Sequence, residues 1–199
     1  MAENDKLKKR ILSSLTNEQG YVILLLGIND FQPVKGKLWY QKEMFFISNF
    51  INALKNILNF EPYFIGPHSK RLEEVLKQLE FYRVLEFDAN KIKLTDLGEE
   101  IFNQIIKKRP IEEINSLVEI KTSLNDMSND ELLLFVYSSI DPSYITESIE
   151  YKRIMGNRER LAIGLYKRGK VTLAKAAELA QLPIDEMMRM LKMRNIVIH

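Results

Sequence analysis

Cysteine is absent from the 199 residues, which excludes a disulfide framework, a thiolate metal site and a cysteine nucleophile together. Histidine occurs only as His68 and His199. His68 sits in a turn with no second imidazole to share a metal, and His199 is terminal, so no zinc site is expected. Glycine is sparse at eight residues, and none of them builds a phosphate-cradling loop or a nucleophile elbow. No apolar run approaches the ~20 residues needed to cross a bilayer, and the opening MAENDKLKKR lacks the apolar stretch of a secretory signal. The acidic doublets Glu99-Glu100 and Glu112-Glu113 are no acid–base pairs, because neighbouring helical carboxylates point in different directions. The expectation is a soluble, cytoplasmic, non-catalytic protein with no cofactor, no metal and no membrane partner.

What is present is apolar material and an uneven charge. Hydrophobic residues make up 46% of the chain, enough for one sizeable core plus a small satellite domain. The formal net charge of +2 conceals an asymmetry: residues 155–199 hold nine Lys or Arg against four Asp or Glu. The tail is therefore +5 and the remainder −3, the balance expected of a basic module that meets nucleic acid on a mildly acidic body. Abundant Lys, Glu and Ile with few thermolabile residues suit a hot-living prokaryote.

The tail carries the most informative pattern. Residues 169–194, GKVTLAKAAELAQLPIDEMMRMLKMR, spell two short amphipathic helices around a tight turn at Gln181-Leu182-Pro183. Thr172 can cap the first, and Leu173, Ala176, Ala177 and Ala180 share one face at spacings of three and four. Small side chains there let two steeply crossing helices touch, as a helix-turn-helix requires. Pro183 suits a first helical turn. Ile184, Met187, Met188 and Leu191 repeat the apolar stripe, leaving Asp185, Arg189 and Lys192 outward, where they would face a major groove. A helical hairpin that only packs or dimerises is the competing reading, and Asp185 and Glu186 at the start of the second helix favour it. The cluster Met187, Met188, Met190 and Met193 fits either a partner groove or an adaptable core.

The body alternates helix signals with one β signal. Residues 7–15 read as a helix or arm, residues 21–28 (YVILLLGI) as a buried core helix, and residues 37–58 as a long core helix, alone or preceded by a short one. Residues 59–65, rich in aromatics around Pro62, read as extended. Ser69 or a neighbouring position caps a helix whose buried stripe is Leu72, Val75, Leu76 and Leu79 and whose polar face carries Lys70, Arg71 and Lys77. Residues 82–87 and 91–94 form a hairpin across Asp88-Ala89-Asn90, which supplies residues tolerant of left-handed geometry. Thr95 caps the next helix, and Ser128 with Glu131 makes a capping box for another. Residues 158–170 supply a further helix that braces the tail.

Helices, a capped helix, a hairpin and Leu94-Thr95-Asp96-Leu97-Gly98 follow the order of winged-helix domains, with residues 69–80 as recognition helix and Arg83, Lys91 and Lys93 on or beside the wing. Glu73, Glu74 and Glu80 on that helix favour a protein-binding use of the same fold. Three segments are expected: a winged-helix domain over 1–109, a helical connector over 110–155 and a helix-turn-helix domain over 156–199. The fold class is mainly α with a small β-hairpin wing.

Two family resemblances arise from these residues. The run LYKRGKVTLAKAAELAQLP, within residues 165–194, resembles uncharacterised protein family 0175, small prokaryotic helix-turn-helix modules described as antitoxin-like. Gln181 and Pro183 stand where that family usually has glycine and serine. Residues 37–46, Pro62-Tyr63, Gly66-Pro67-His68-Ser69, Leu94-Thr95-Asp96-Leu97-Gly98 and residues 131–144 are similar in pattern to the winged-helix group of Panacea-type antitoxin domains and their archaeal relatives. Both resemblances imply regulation or neutralisation of a partner.

The sequence thus points to a prokaryotic, archaeal-type transcriptional regulator that contacts duplex DNA and is expected to act as a homodimer, since one short recognition helix touches few base pairs. Lys175, Arg189, Lys192 and Arg194 would meet DNA in the tail; Lys70, Arg71, Lys77, Arg83, Lys91 and Lys93 would do so in the body. The alternative is an antitoxin-like adaptor that grips a protein partner through Met188, Met190, Met193, Ile196 and Ile198. Its terminal apolar segment NIVI could add a strand to a partner's sheet.

Overall fold

The computed structural model describes residues 2–198; the sequence expectation about His199 lies outside them. Helices dominate, with one two-stranded antiparallel sheet, the mainly α class with a small hairpin expected from the sequence. The chain divides into two compact units: Met1–Glu61 with His68–Asp126, and Pro62–Pro67 with Met127–His199. The expected 110–155 connector is thereby shared, its first part lying in the first unit and its remainder in the second.

In the first unit, α1 (Ala2–Ser14) is followed by α2 (Asn17–Phe31), which Thr16 and Gln19 start with a reciprocal capping box. Residues 21–26 of α2 are buried on every side, so this helix is the axis of the core. Each such apolar side chain removed from water contributes about 1.5–3 kcal/mol. The regular helix stops at Ile28, and Asn29, Asp30 and Phe31 all take left-handed backbone angles (φ 57, 52 and 57°). Lys121 fills the open end: its ammonium donates to the carbonyls of Leu25 (2.8 Å), Leu26 (3.3 Å) and Ile28 (3.0 Å). A cation at the negative end of a helix is favoured there by the aligned peptide dipoles.

The long helix expected over 37–58 is two helices, α3 (Lys37–Phe50) and α4 (Asn52–Leu58), because Ile51 leaves helical geometry (φ −106, ψ 90°). The expected extended stretch 59–65 forms no strand, only isolated bridges such as Glu61 with His68. Ser69 caps α5 (Lys70–Phe81) as expected; its hydroxyl accepts from the Leu72 N–H and donates to the Leu58 carbonyl. Leu72, Val75, Leu76 and Leu79 are all buried.

The hairpin joins β1 (Leu85–Asp88) to β2 (Lys91–Leu94) in the register Leu85 with Leu94 and Phe87 with Ile92. Its left-handed residue is Ala89 (φ 52°) rather than Asp88 or Asn90, a correction to the turn chemistry inferred from residue type. Val34 adds a third rung by exchanging two backbone bonds with Ile92 (3.0 and 2.9 Å). Thr95 then caps α6 (Asp96–Ile105), and α7 (Ile111–Asn125) closes the unit against α2 and α3, with the Trp39 indole donating to the Leu124 carbonyl (3.1 Å).

Polar residues in these core helices are invisible to periodicity. Lys42, Glu43 and Lys121 are all buried. Burial pushes the Glu43 carboxyl up, with Lys121 and Lys35 pulling the other way, and neither of its oxygens has a hydrogen-bond partner. Burial likewise lowers the Lys42 ammonium to about 7.

The second unit begins with α8 (Asn129–Ser139), where Ser128 and Glu131 complete the expected capping box. Glu131 also holds Arg168 (2.7 Å). A 3-10 turn (Pro142–Ile145) leads to α9 (Tyr151–Gly156), α10 (Arg158–Lys167), α11 (Leu173–Ala180) and α12 (Ile184–Met193). The hexapeptide from the middle of the chain enters here, since the Ile149 N–H donates to the Phe64 carbonyl (3.1 Å). No single helix among the described residues is long and apolar enough to cross a membrane.

Candidate nucleic-acid interface

Three successive helices, α10 to α12, place the cationic residues of the tail. Gly169 turns the chain after α10 in left-handed geometry (φ 66°), and Thr172 caps α11 by accepting from the Lys175 N–H (3.2 Å). Ala176, Ala177 and Ala180 are buried as the small-residue face, joined by Leu179, while Leu173 is half-buried. The tight turn follows. Gln181 adopts the left-handed conformation (φ 56°) usual for glycine, and the Leu182 N–H closes the end of α11 on the Ala177 carbonyl (3.0 Å). Arg158 of α10 adds a second clamp by donating to the Ala180 carbonyl (3.0 Å).

The second helix is narrower in its buried stripe than the sequence pattern indicated. Met187 and Leu191 are buried, but Met188 is only half-buried and Ile184 is 50% exposed. A helix packed on one side by small alanines contacts its neighbour over a thin strip, so the flanking apolar positions reach water. Asp185, Arg189 and Lys192 face outward as expected, and Arg194 is exposed just past the helix end. Among the described residues none of these three cations has an ion-pair partner.

The other cationic candidates divide sharply. Arg71 is committed within the first unit, its guanidinium donating to Glu18 (2.6 and 3.1 Å) and Glu74 (2.9 Å). Burial pushes the Glu18 carboxyl up, but Arg71 outweighs it and holds the group below the usual carboxylate range. Lys93 lies against Glu86 (3.1 Å) and Asp88 (3.7 Å), and its ammonium is raised chiefly by Glu86. Lys175 pairs with Glu178 (2.6 Å) and lies over the Phe135 ring (5.3 Å). Arg71, Lys93 and Lys175 are thus already neutralised, which their residue type alone could not reveal. Lys70 and Lys77 on α5, Arg83 in the turn before β1 and Lys91 opening β2 are exposed and unpaired among the described residues.

The apolar candidates also separate. Met193 is 84% exposed, whereas Met188, Met190, Ile196 and Ile198 are half-buried. The tail is turned back by Asn195 (φ 54°), and the Ile196 N–H bonds the Leu191 carbonyl (2.9 Å). Val197, not singled out from the sequence, is 66% exposed.

Elsewhere the acidic doublets are engaged structurally: Glu113 accepts from the Tyr21 hydroxyl (2.7 Å) and Glu100 pairs with Lys8 (2.5 Å). His68 Nε2 lies 3.4 Å from Glu73, and burial holds the imidazole below its usual value. Among the described residues no group of three or more His, Asp or Glu side chains is arranged to hold a metal ion.

Fold and site together define a mainly α protein with one small hairpin, whose second unit ends in a three-helix module that exposes Asp185, Arg189 and Lys192 on its last helix. Residues 145–199, covering α9 to α12, match the uncharacterised protein family UPF0175. Comparison with curated proteins and with solved structures finds no match.

Proposed function

We propose that this protein is a non-catalytic DNA-binding regulator that meets duplex DNA through α12. The observation that carries the reading is the exposed, unpaired set of Arg189 and Lys192 on the second helix of a tight helix-turn-helix and Arg194 just past its end, free to neutralise phosphate. The same segment is the one that matches the uncharacterised protein family UPF0175.

The first unit supports a winged-helix reading through its element order and through the Val34 rung that lies beside the hairpin. It is the weaker candidate for DNA. With Arg71 and Lys93 already neutralised, the outer face of α5 offers Lys70 and Lys77 against Glu73, Glu74 and Glu80. A helix carrying more acid than base on its open side repels phosphate rather than attracting it.

The reading is tested by fluorescence anisotropy of a labelled mixed-sequence duplex at low salt. Binding is expected to weaken steeply as salt rises, with Arg189→Glu/Lys192→Glu abolishing it and Arg83→Glu/Lys91→Glu leaving it nearly unchanged. Absence of binding at low salt refutes the proposal. A second reading, a protein partner gripped by the same helix, is favoured by exposed Ile184, Met193 and Val197. It predicts a stoichiometric complex that survives high salt.

A further inference from the structure

We infer that the outer face of α5 is a self-complementary seam on which a second copy of this chain docks, the two α5 helices lying antiparallel across a two-fold axis. The residues facing away from the buried stripe are Lys70, Glu73, Lys77, Glu80 and Phe81, flanked by Glu74, which is already paired with Arg71 (2.9 Å). A two-fold axis at the height of Val75 sets Glu73 of one copy level with Lys77 of the other, and Lys70 level with Glu80. Symmetry repeats each pair, giving four opposite-charge pairs along roughly 15 Å of helix. Parallel alignment would instead stack each residue on its own like charge.

The charges are available for this use. Lys70, Lys77 and Glu80 are exposed and have no ion-pair partner among the described residues. Glu73 lies 3.4 Å from His68, whose imidazole burial holds low, so near neutral pH that contact leaves the carboxylate charge uncompensated.

Surface ion pairs alone are weak, so the seam needs an apolar anchor. Phe81 supplies it: the side chain is 83% exposed at the end of α5, edge-on to Tyr82 (5.7 Å), which is itself 41% exposed. In the antiparallel arrangement each Phe81 comes level with the partner copy's Lys70, whose aliphatic stem and ammonium suit an aromatic face. An aromatic so exposed beside a charge ladder is the composition of an interface rather than of a solvated helix. The face is also poorly suited to DNA, since it carries more acid than base. The seam does not depend on the DNA reading.

The test is sedimentation equilibrium of the full chain over micromolar concentrations at low salt. The wild type is expected as a dimer of the 23.3 kDa chain, and a monomer throughout overturns the inference. Lys77→Glu, which creates two like-charge contacts, is expected to weaken the dimer by about tenfold or more. The swap Glu73→Lys/Lys77→Glu restores opposite charges and is expected to recover most of the affinity. Lys91→Glu, the same charge change away from the seam, is expected to leave it unchanged. A dimer insensitive to Lys77→Glu, a swap that fails to rescue, or equal weakening by Lys91→Glu each overturns the inference. All three positions are exposed, and far-UV circular dichroism verifies that the variants fold.

Discussion

Gly98 sits where the first turn of α6 passes over the backbone of the hairpin, and replacing it with alanine pits helix propensity against packing. A methyl group built there lies 2.0 Å from the Val84 carbonyl oxygen and 3.1 Å from two atoms of Leu94. Real contacts of this kind do not fall below 3.0 Å, so the oxygen has to retreat by about 1 Å. That oxygen accepts from the Thr95 N–H (3.1 Å) and faces the Thr95 hydroxyl (3.3 Å), and Thr95 in turn caps α6 by accepting from the Gly98 N–H (3.2 Å). Alanine gains about 1 kcal/mol over glycine inside a helix. Against this, overpacking costs about 1–3 kcal/mol and a disrupted buried hydrogen bond about 1 kcal/mol. Packing wins, with a net loss of about 2 kcal/mol. The single tryptophan, Trp39, is buried in the same unit, so its fluorescence in a urea titration reports the unit directly. At a slope of about 2 kcal/mol/M the midpoint should fall by about 1 M with the slope unchanged. A midpoint that stays put or rises would refute the reasoning.

Three other outcomes follow from the same kind of argument. Glu43→Leu should stabilise the first unit by about 1–3 kcal/mol, because it removes a buried carboxyl with no hydrogen-bond partner. The folded-state value of this group is raised, so wild-type stability is fullest below the ordinary value of 4.5 and declines as pH rises; the variant's advantage should grow in that direction in denaturation curves taken from pH 4 to 8. Glu131 behaves oppositely: burial pushes its carboxyl up, but Arg168 and the Ser128 N–H hold it below 4.5, so its contribution is present above 4.5 and fades as the solution is acidified, a dependence that Glu131→Gln should flatten. Gly156→Ala, with open space around the added methyl, should be neutral or stabilising by up to ~1 kcal/mol, whereas Gly169→Ala, at φ 66°, should cost about 1–2 kcal/mol; thermal melts by circular dichroism separate the two.

The features legible in the sequence were those settled within four residues. Ser69, Thr95, Ser128 and Thr172 each cap the helix assigned to them, since the donor and acceptor of a cap are neighbours in the chain. The pair Thr16 and Gln19 carried the same signal and was overlooked. Non-local chemistry was not legible. Arg71 reads as a free cation until Glu18, 53 positions earlier, is seen beside it. Lys121 and Glu43 carry no signal in the sequence, because periodicity scores polarity and cannot anticipate a lysine that finds three open carbonyls at the end of another helix. The break at Ile51 likewise lacks a glycine or proline to mark it.

Pro62–Pro67 is synthesised long before the helices it joins, yet it belongs to the unit made of Met127–His199. During translation the first unit can therefore close around its core once residue 126 has emerged, while this hexapeptide waits as a loop for the rest of the chain. A fragment ending at 126 would leave the Phe64 carbonyl without the Ile149 N–H that donates to it, and one beginning at 127 would leave that N–H without its acceptor. Gene fusions that transplant the C-terminal helices alone would carry that same unfilled donor.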